Sequence, residues 1–202
     1  PVFPLPGTIL LPRGQLPLNI FEPRYLNMVD DAMAGDRMIG MIQTFGPAGE
    51  QPPLMRVGCA GRVTSFAETS DGRYLITLTG ICRFRIANEL QVSSPYRQVR
   101  ADYEPYGDDL GDPDPYENFD REAFLDALAP YLGRRGLDID WDTAKAAPPE
   151  ALVNSLAMGL PFEPAEKQAL VEALHLHDRN LALQALLKID TAGDDDATPR
   201  LQ

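Results

Sequence analysis

Leu16-Pro17-Leu18-Asn19-Ile20-Phe21-Glu22-Pro23-Arg24-Tyr25 marks a change from strand to helix, and it follows Val2-Phe3-Pro4-Leu5-Pro6-Gly7. Short extended apolar pieces run up to Phe21, and a helix opens on Glu22-Pro23. Proline suits the first helical position because the N–H it lacks would be unpaired there. Glu22 sits at the positive end of the helix dipole. Leu26, Val29 and Met33, flanked by Tyr25 and Met28, recur at helical spacing on one face.

Outward from this stretch, strands are expected at Val2–Leu5, Ile9–Leu11 and Leu16–Phe21, with a helix over Pro23–Ala34 ending at Gly35. Met38–Thr44 reads as a further strand, and Gly46-Pro47-Ala48-Gly49 as a loop. Asp71-Gly72 has the composition of a two-residue hairpin turn. That turn pairs Val57 with Ile86, Cys59 with Phe84, Gly61 with Cys82, Val63 with Gly80, Ser65 with Leu78 and Ala67 with Ile76. Small residues then face large ones, as a core face requires. The opposite face carries Arg62, Thr64, Glu68, Thr77, Thr79, Arg83 and Arg85 and is expected to be wet. A slip by one residue would bury the arginines. Gln91–Tyr103 is expected to add one more strand.

From Asp102 to Glu122 there are nine carboxylates and one arginine, interrupted by prolines and glycines, which reads as a mobile acidic linker. Helices follow. Asp120 is placed to cap the first, with Phe119 and Phe124 as a hydrophobic staple and Pro130 set to kink or shorten it. Pro148-Pro149 opens a second that closes at Gly159, Pro164 opens a third, and Asp178 is placed to cap a fourth. The expected organisation is α+β: a β-rich domain over 1–103, an acidic linker over 104–119, a helical bundle over 120–190 and a disordered tail over 191–202.

Composition excludes several classes. The net charge of −12 opposes binding to phosphate backbones. No apolar run approaches the roughly 18 residues of a membrane span, and the N-terminus lacks a secretory pattern. Cys59 and Cys82 are too few and too separated for a disulfide framework or a metal ribbon, so they read as buried thiols of a cytoplasmic protein. His175-x-His177 does not converge on one ion, because helical residues two apart point to different sides. Ser155 has no lysine three or four residues away for a Ser–Lys dyad. The carboxylates of the acidic run cannot hold an acid–base pair in register while mobile. No catalytic, cofactor-binding or metal-binding residue is assigned.

Phe3-Pro4-Leu5, Pro12 and Leu16-Pro17-Leu18-x-Ile20-Phe21-Glu22-Pro23-Arg24-Tyr25, followed by Val57-Gly58 and Leu78-x-Gly80-x-x-Arg83-Phe84, together closely resemble the N-terminal, substrate-binding domain of the Lon protease family in its stand-alone form. Lys167-Gln168-x-Leu170 and Asp178-Arg179 resemble the helical half of that domain. The resemblance implies a PUA-like β pseudo-barrel with one embedded helix, followed by a helical bundle. In the full protease this domain engages unfolded or degron-bearing polypeptide and helps assemble the particle, and a related domain occurs in the ubiquitin-ligase receptor cereblon. No G-x-x-x-x-G-K-[ST] phosphate loop occurs, since none of Lys145, Lys167 and Lys188 follows such a glycine pair. Nor is there room within 202 residues for an ATPase and a protease domain.

The expected function is therefore non-catalytic: an adaptor that holds unfolded or degron-bearing polypeptide through apolar patches and sheet edges, in partnership with a protease and without nucleic acid, membrane or cofactor. Glu22 and Tyr25 are read first as cap and packing, and the exposed side of that first turn, including Arg24 and Asn27, as a client contact. Arg62, Arg83 and Arg85 are read as a basic cluster on the wet hairpin face, for local ion pairs or an acidic peptide. The competing readings are an RNA-binding PUA-like module, an enzyme with a site between barrel and bundle, and an oligomerisation module.

Overall fold

The computed structural model describes residues 1–46, 49 and 51–192, with the side chains of 191 and 192 outside the description. It divides into two compact units. One holds Pro1–Pro113 with Met158–Glu172, and the other holds Asp114–Ala157 and the residues from Ala173 onward. The segment expected as a linker is therefore shared between them, and most of the expected tail lies outside the described residues.

The first unit contains a mixed sheet of six strands: β1 (Val2–Pro4), β2 (Gln15–Ile20), β3 (Met38–Thr44), β4 (Leu54–Glu68), β5 (Tyr74–Glu89) and β6 (Val99–Asp102). The path is β1-β3-β4-β5-β2, with β6 also on β5. β1 runs parallel to β3 and the remaining pairs are antiparallel. The sheet is not closed. β1 and β2 end its path, and the outer side of β1 is met by a loop, with the Val2 N–H donating to Arg97 O at 2.9 Å. The fold is thus a mixed α+β fold with an open sheet, which corrects the expected barrel. Ile9–Leu11 is not a strand, although all three side chains are buried. It crosses β5 at Gly80, whose N–H donates to Gly14 O and whose carbonyl accepts from the Arg13 N–H, both at 2.8 Å. A Cβ at Gly80 would lie 2.0 Å from Leu11 O, so only glycine permits the crossing. The expected strand over Gln91–Tyr103 shrinks to β6, because Ser93-Ser94-Pro95 interrupts it and Tyr96 turns into the core.

The helix over Pro23–Ala34 (α1) starts with Pro23 at its first position. Tyr25, Met28, Val29 and Ala32 are buried against Phe3, Ile39, Met41 and Leu78. Met28 and Val29 are fully buried, each contributing about 1.5–3 kcal/mol. Glu22 occupies the cap position but makes no side-chain cap bond; its main-chain carbonyl accepts from the Tyr25 and Leu26 N–H groups instead.

The β4–β5 register is shifted from the expected pairing, by two residues over Gly61–Val63 and by one elsewhere. Ala67 faces Leu75, Phe66 faces Ile76, and Cys59 faces Arg83, with irregularities near Gly61 and Val63. The cause is the turn. Thr69 N–H donates to Arg73 O at 2.9 Å, Gly72 N–H donates to Thr69 O at 3.0 Å, and Gly72 has φ +79°. Ser70-Asp71-Gly72 is a three-residue loop with glycine in the left-handed position, not a two-residue turn. Val57, Cys59, Val63, Ile76, Leu78, Cys82 and Phe84 are buried as expected, whereas Ser65 and Ala67 are exposed. Both cysteines are free thiols.

Arg62, Thr64, Glu68 and Arg85 of the expected wet face are exposed, but Arg83 departs from it, being 3% exposed. Its Nε donates to Asp109 Oδ2 at 2.9 Å, its Nη2 to Asp109 Oδ1 at 2.8 Å and its Nη1 to Val171 O at 3.1 Å. Asp109 belongs to a 3-10 helix, Glu104–Leu110, in which Tyr106 is also buried. That stretch is ordered against β5 rather than a solvated linker. The helix Pro164–Glu172 (α5) completes this unit.

The second unit is helical: α2 (Arg121–Arg135), α3 (Trp141–Ala146), α4 (Pro149–Gly159, whose last two residues fall in the first unit) and α6 (Leu176–Ala192). Asp120 caps α2, its Oδ1 accepting from the Ala123 N–H at 3.0 Å, and the Phe119 and Phe124 rings meet at 5.4 Å. α2 runs through Pro130 to a left-handed Gly136 and packs on α6. α3, capped by Asp140, has no counterpart in the sequence reading. Asp178 falls inside the first turn of α6 rather than at its cap. No described helix is long and apolar enough to cross a membrane.

Candidate functional site

A groove of about 820 Å³ lies within the first unit. Residues Phe3–Pro6, after β1, contribute to its lining. The end of β2 and the residues Phe21, Glu22, Arg24 and Tyr25 supply one wall, and Phe45 and Gln51–Met55 another. Pro95–Arg97 and Glu163–Ala165 complete it.

Its surface is apolar and its position is fixed from behind. The Tyr25 and Phe3 rings lie 4.4 Å apart, and the Arg24 guanidinium rests 4.6 Å above the Tyr25 ring. Burial pushes the Tyr25 phenol up. Phe21 and Phe45 are 64% and 50% exposed, large apolar side chains offered to solvent. The Tyr96 hydroxyl donates to Asp31 Oδ2 at 2.6 Å, and burial with that bond pushes it up to about 12. The N-terminus of α5 is held by Gln43, which is fully buried: its Nε2 donates to Pro164 O at 3.0 Å and to Gln168 Oε1 at 3.1 Å.

The charged groups are mostly matched. Arg24 Nη2 and Glu22 Oε2 are 2.8 Å apart. Arg97 donates to both oxygens of Glu89 at 2.6 and 2.7 Å and to Pro52 O at 2.7 Å, which holds the Glu89 carboxyl below the usual carboxylate range. The described lining holds no serine, cysteine, histidine or lysine, and no three potential metal ligands gather among the described residues. What the groove offers is contact area and matched charge.

The model of the family described as "ATP-dependent protease La (LON) substrate-binding domain" matches residues 1–188. The chain belongs to this family. As a Lon substrate-binding domain it is similar to Lon protease 2 of Sorangium cellulosum, 27% identical over 197 residues, covering 89% of this chain and 23% of that protein. It is also similar to the Lon protease of Syntrophus aciditrophicus, 32% identical over 108 residues, covering 50% of this chain and 14% of that protein. The chain thus spans about a quarter or less of the curated relatives it matches. Two solved structures share the fold. The Lon N-terminal domain protein from Xanthomonas campestris aligns with a TM-score of 0.62 at 24% identity, covering 92% of this chain and 96% of that one. The N-terminal domain of the Mycobacterium avium complex Lon protease aligns at 0.64 and 16% identity, covering 95% and 97%.

In this Lon substrate-binding domain the residues singled out from sequence are scattered. Glu22, Arg24 and Tyr25 meet in the groove, while Asn27 is exposed on α1 outside the lining. Arg62 is exposed opposite Thr79, Arg85 pairs with Asp102 at 3.4 Å further along β5, and Arg83 is buried, so the three arginines form no cluster. Phe21, Phe45 and Pro95–Arg97 were not singled out as contact residues. An aromatic directly after an apolar strand and before a glycine, as Phe45 is, is the signal that could have marked one of them.

Proposed function

We propose that this Lon substrate-binding domain is a non-catalytic polypeptide-binding module, and that its groove takes extended or partly unfolded chain for handing to a protease in the cytoplasm. The observation that carries this reading is the exposure of Phe21 and Phe45 on a groove whose other walls are packed and whose charges are largely neutralised. Aromatic anchors in a concave apolar surface are where binding energy concentrates. Glu22, Arg24 and Tyr25 contribute the rim and floor, whereas Asn27, Arg62 and Arg85 lie outside the lining. Backbone pairing along β2 plays a smaller part, since Pro17 lacks an N–H and blunts that edge. The helical unit is read as the bundle that accompanies this fold. The acidity of the chain disfavours the RNA-binding alternative.

The test is a fluorescence-anisotropy titration with a labelled, permanently unfolded polypeptide. Saturable binding that Arg24→Glu changes in either direction supports the groove, because that change breaks the Glu22 pair and leaves two carboxylates on the rim. Equal binding by both proteins places the contact elsewhere, and no binding by either removes the polypeptide reading.

A further inference from the structure

The charges lining the groove do not cancel completely. Glu22 is matched by Arg24, and Arg97 by Glu89. Glu163, just before α5, remains. Its main-chain N–H donates to Glu166 Oε2 at 2.8 Å and its carbonyl accepts from the Lys167 N–H at 2.9 Å. Its own carboxylate is exposed and has no hydrogen bond or ion pair among the described residues. The bonds from Gln43 to Pro164 and Gln168 fix the helix start, so this carboxylate projects from a rigid support.

Two further features favour a cationic, hydrogen-bond-donating guest. Pro4, Pro6 and Pro95 line the groove with residues that have carbonyls but no N–H, while the Pro52 and Pro164 carbonyls already accept from Arg97 and Gln43. The net charge of −12 sets a field that draws cations toward the surface and repels acidic chains.

We infer that the groove selects extended polypeptide in which an apolar or aromatic residue is flanked by lysine or arginine, the apolar side chain seated against Phe21 and Phe45 and the cation drawn to Glu163. This selectivity rests on the polypeptide-binding reading above and adds a charge requirement to it.

The test uses the whole chain and four short, end-capped, labelled peptides: phenylalanine flanked by arginine, phenylalanine flanked by serine, phenylalanine flanked by glutamate, and serine flanked by arginine. The Phe–Arg peptide should bind about threefold tighter than the Phe–Ser peptide, the scale of one exposed ion pair. The Phe–Glu and Ser–Arg peptides should bind most weakly. Glu163→Gln should bring Phe–Arg binding down toward the Phe–Ser level and leave the Phe–Ser affinity unchanged, and added salt should narrow the wild-type difference. Equal affinity for the Phe–Arg and Phe–Ser peptides, or an arginine preference that Glu163→Gln does not reduce, overturns the charge requirement while the groove reading stands. A Ser–Arg peptide that binds as tightly as Phe–Arg also overturns it, since charge alone would then suffice. Failure of every phenylalanine peptide to bind overturns both readings at once.

Discussion

Arg83 and Asp109 form a two-point ion pair inside the first unit, Nε to Oδ2 at 2.9 Å and Nη2 to Oδ1 at 2.8 Å, with the Arg83 main-chain N–H donating to the same carboxylate. The Arg83 guanidinium also lies 4.6 Å from the Tyr106 ring centre. Every charge is answered, so the acidic 104–110 stretch is tied to the middle of β5.

Removing one partner strands the other. Asp109→Leu should destabilise the fold by about 3–5 kcal/mol, because an uncompensated guanidinium stays buried. Replacing both, Arg83→Met with Asp109→Leu, should cost far less than the two single changes together. Chemical denaturation of the four proteins measures the difference.

Gly80→Ala is expected to be among the most damaging single-methyl additions. The new Cβ would meet Leu11 O at 2.0 Å, and that carbonyl is itself held by the Gly14 N–H at 3.0 Å. A loss of about 3 kcal/mol or more is expected from the forced backbone shift. Thermal unfolding beside Gly72→Asn, a residue type that tolerates positive φ, provides the comparison.

Much of this architecture is legible in the sequence because it is local. Pro23 and Gly35 bracket α1, the apolar run Met38–Thr44 is β3, and Asp120 with Phe119 and Phe124 announces α2. Where the sequence reading fails, the deciding partner is remote. The hairpin register depends on whether Gly72 ends a two- or a three-residue loop, which composition alone does not distinguish. Arg83 reads as solvated until Asp109, 26 positions away, is known to meet it. The groove is assembled from six separate segments, so only the Glu22–Tyr25 part was visible beforehand.

Tyr96 gives a pH dependence on the alkaline side. Its phenol is pushed up to about 12 in the fold, first by burial and then by Asp31, whereas an unfolded tyrosine ionises at about 10. Between these values the folded state holds the extra proton, so stability is intact below about pH 10 and falls as pH rises through the window to about 12. Tyr96→Phe should make that fall shallower, the raised Cys82 thiol and Tyr25 phenol contributing the rest, and lose about 1 kcal/mol at neutral pH with the Asp31 bond. Denaturation midpoints across alkaline pH check it.

Phe21→Ala and Phe45→Ala separate binding from folding. Both side chains are at least half exposed, so each change should alter stability by no more than about 0.5 kcal/mol. If they anchor polypeptide, the double variant should lose about tenfold in affinity, as truncation of interface anchors does. A Leu110→Ala control, equally exposed but outside the groove, should bind as the unaltered protein does.

The most direct measurement is an amide correlation spectrum of the isotope-labelled chain, titrated with an unfolded polypeptide. Shifts that saturate and gather on Phe21–Tyr25, Phe45, Met55, Tyr96 and Glu163 are the predicted result. Saturating shifts confined to the outer face of α6 or the 66–76 hairpin tip, with the groove resonances unmoved, would contradict it.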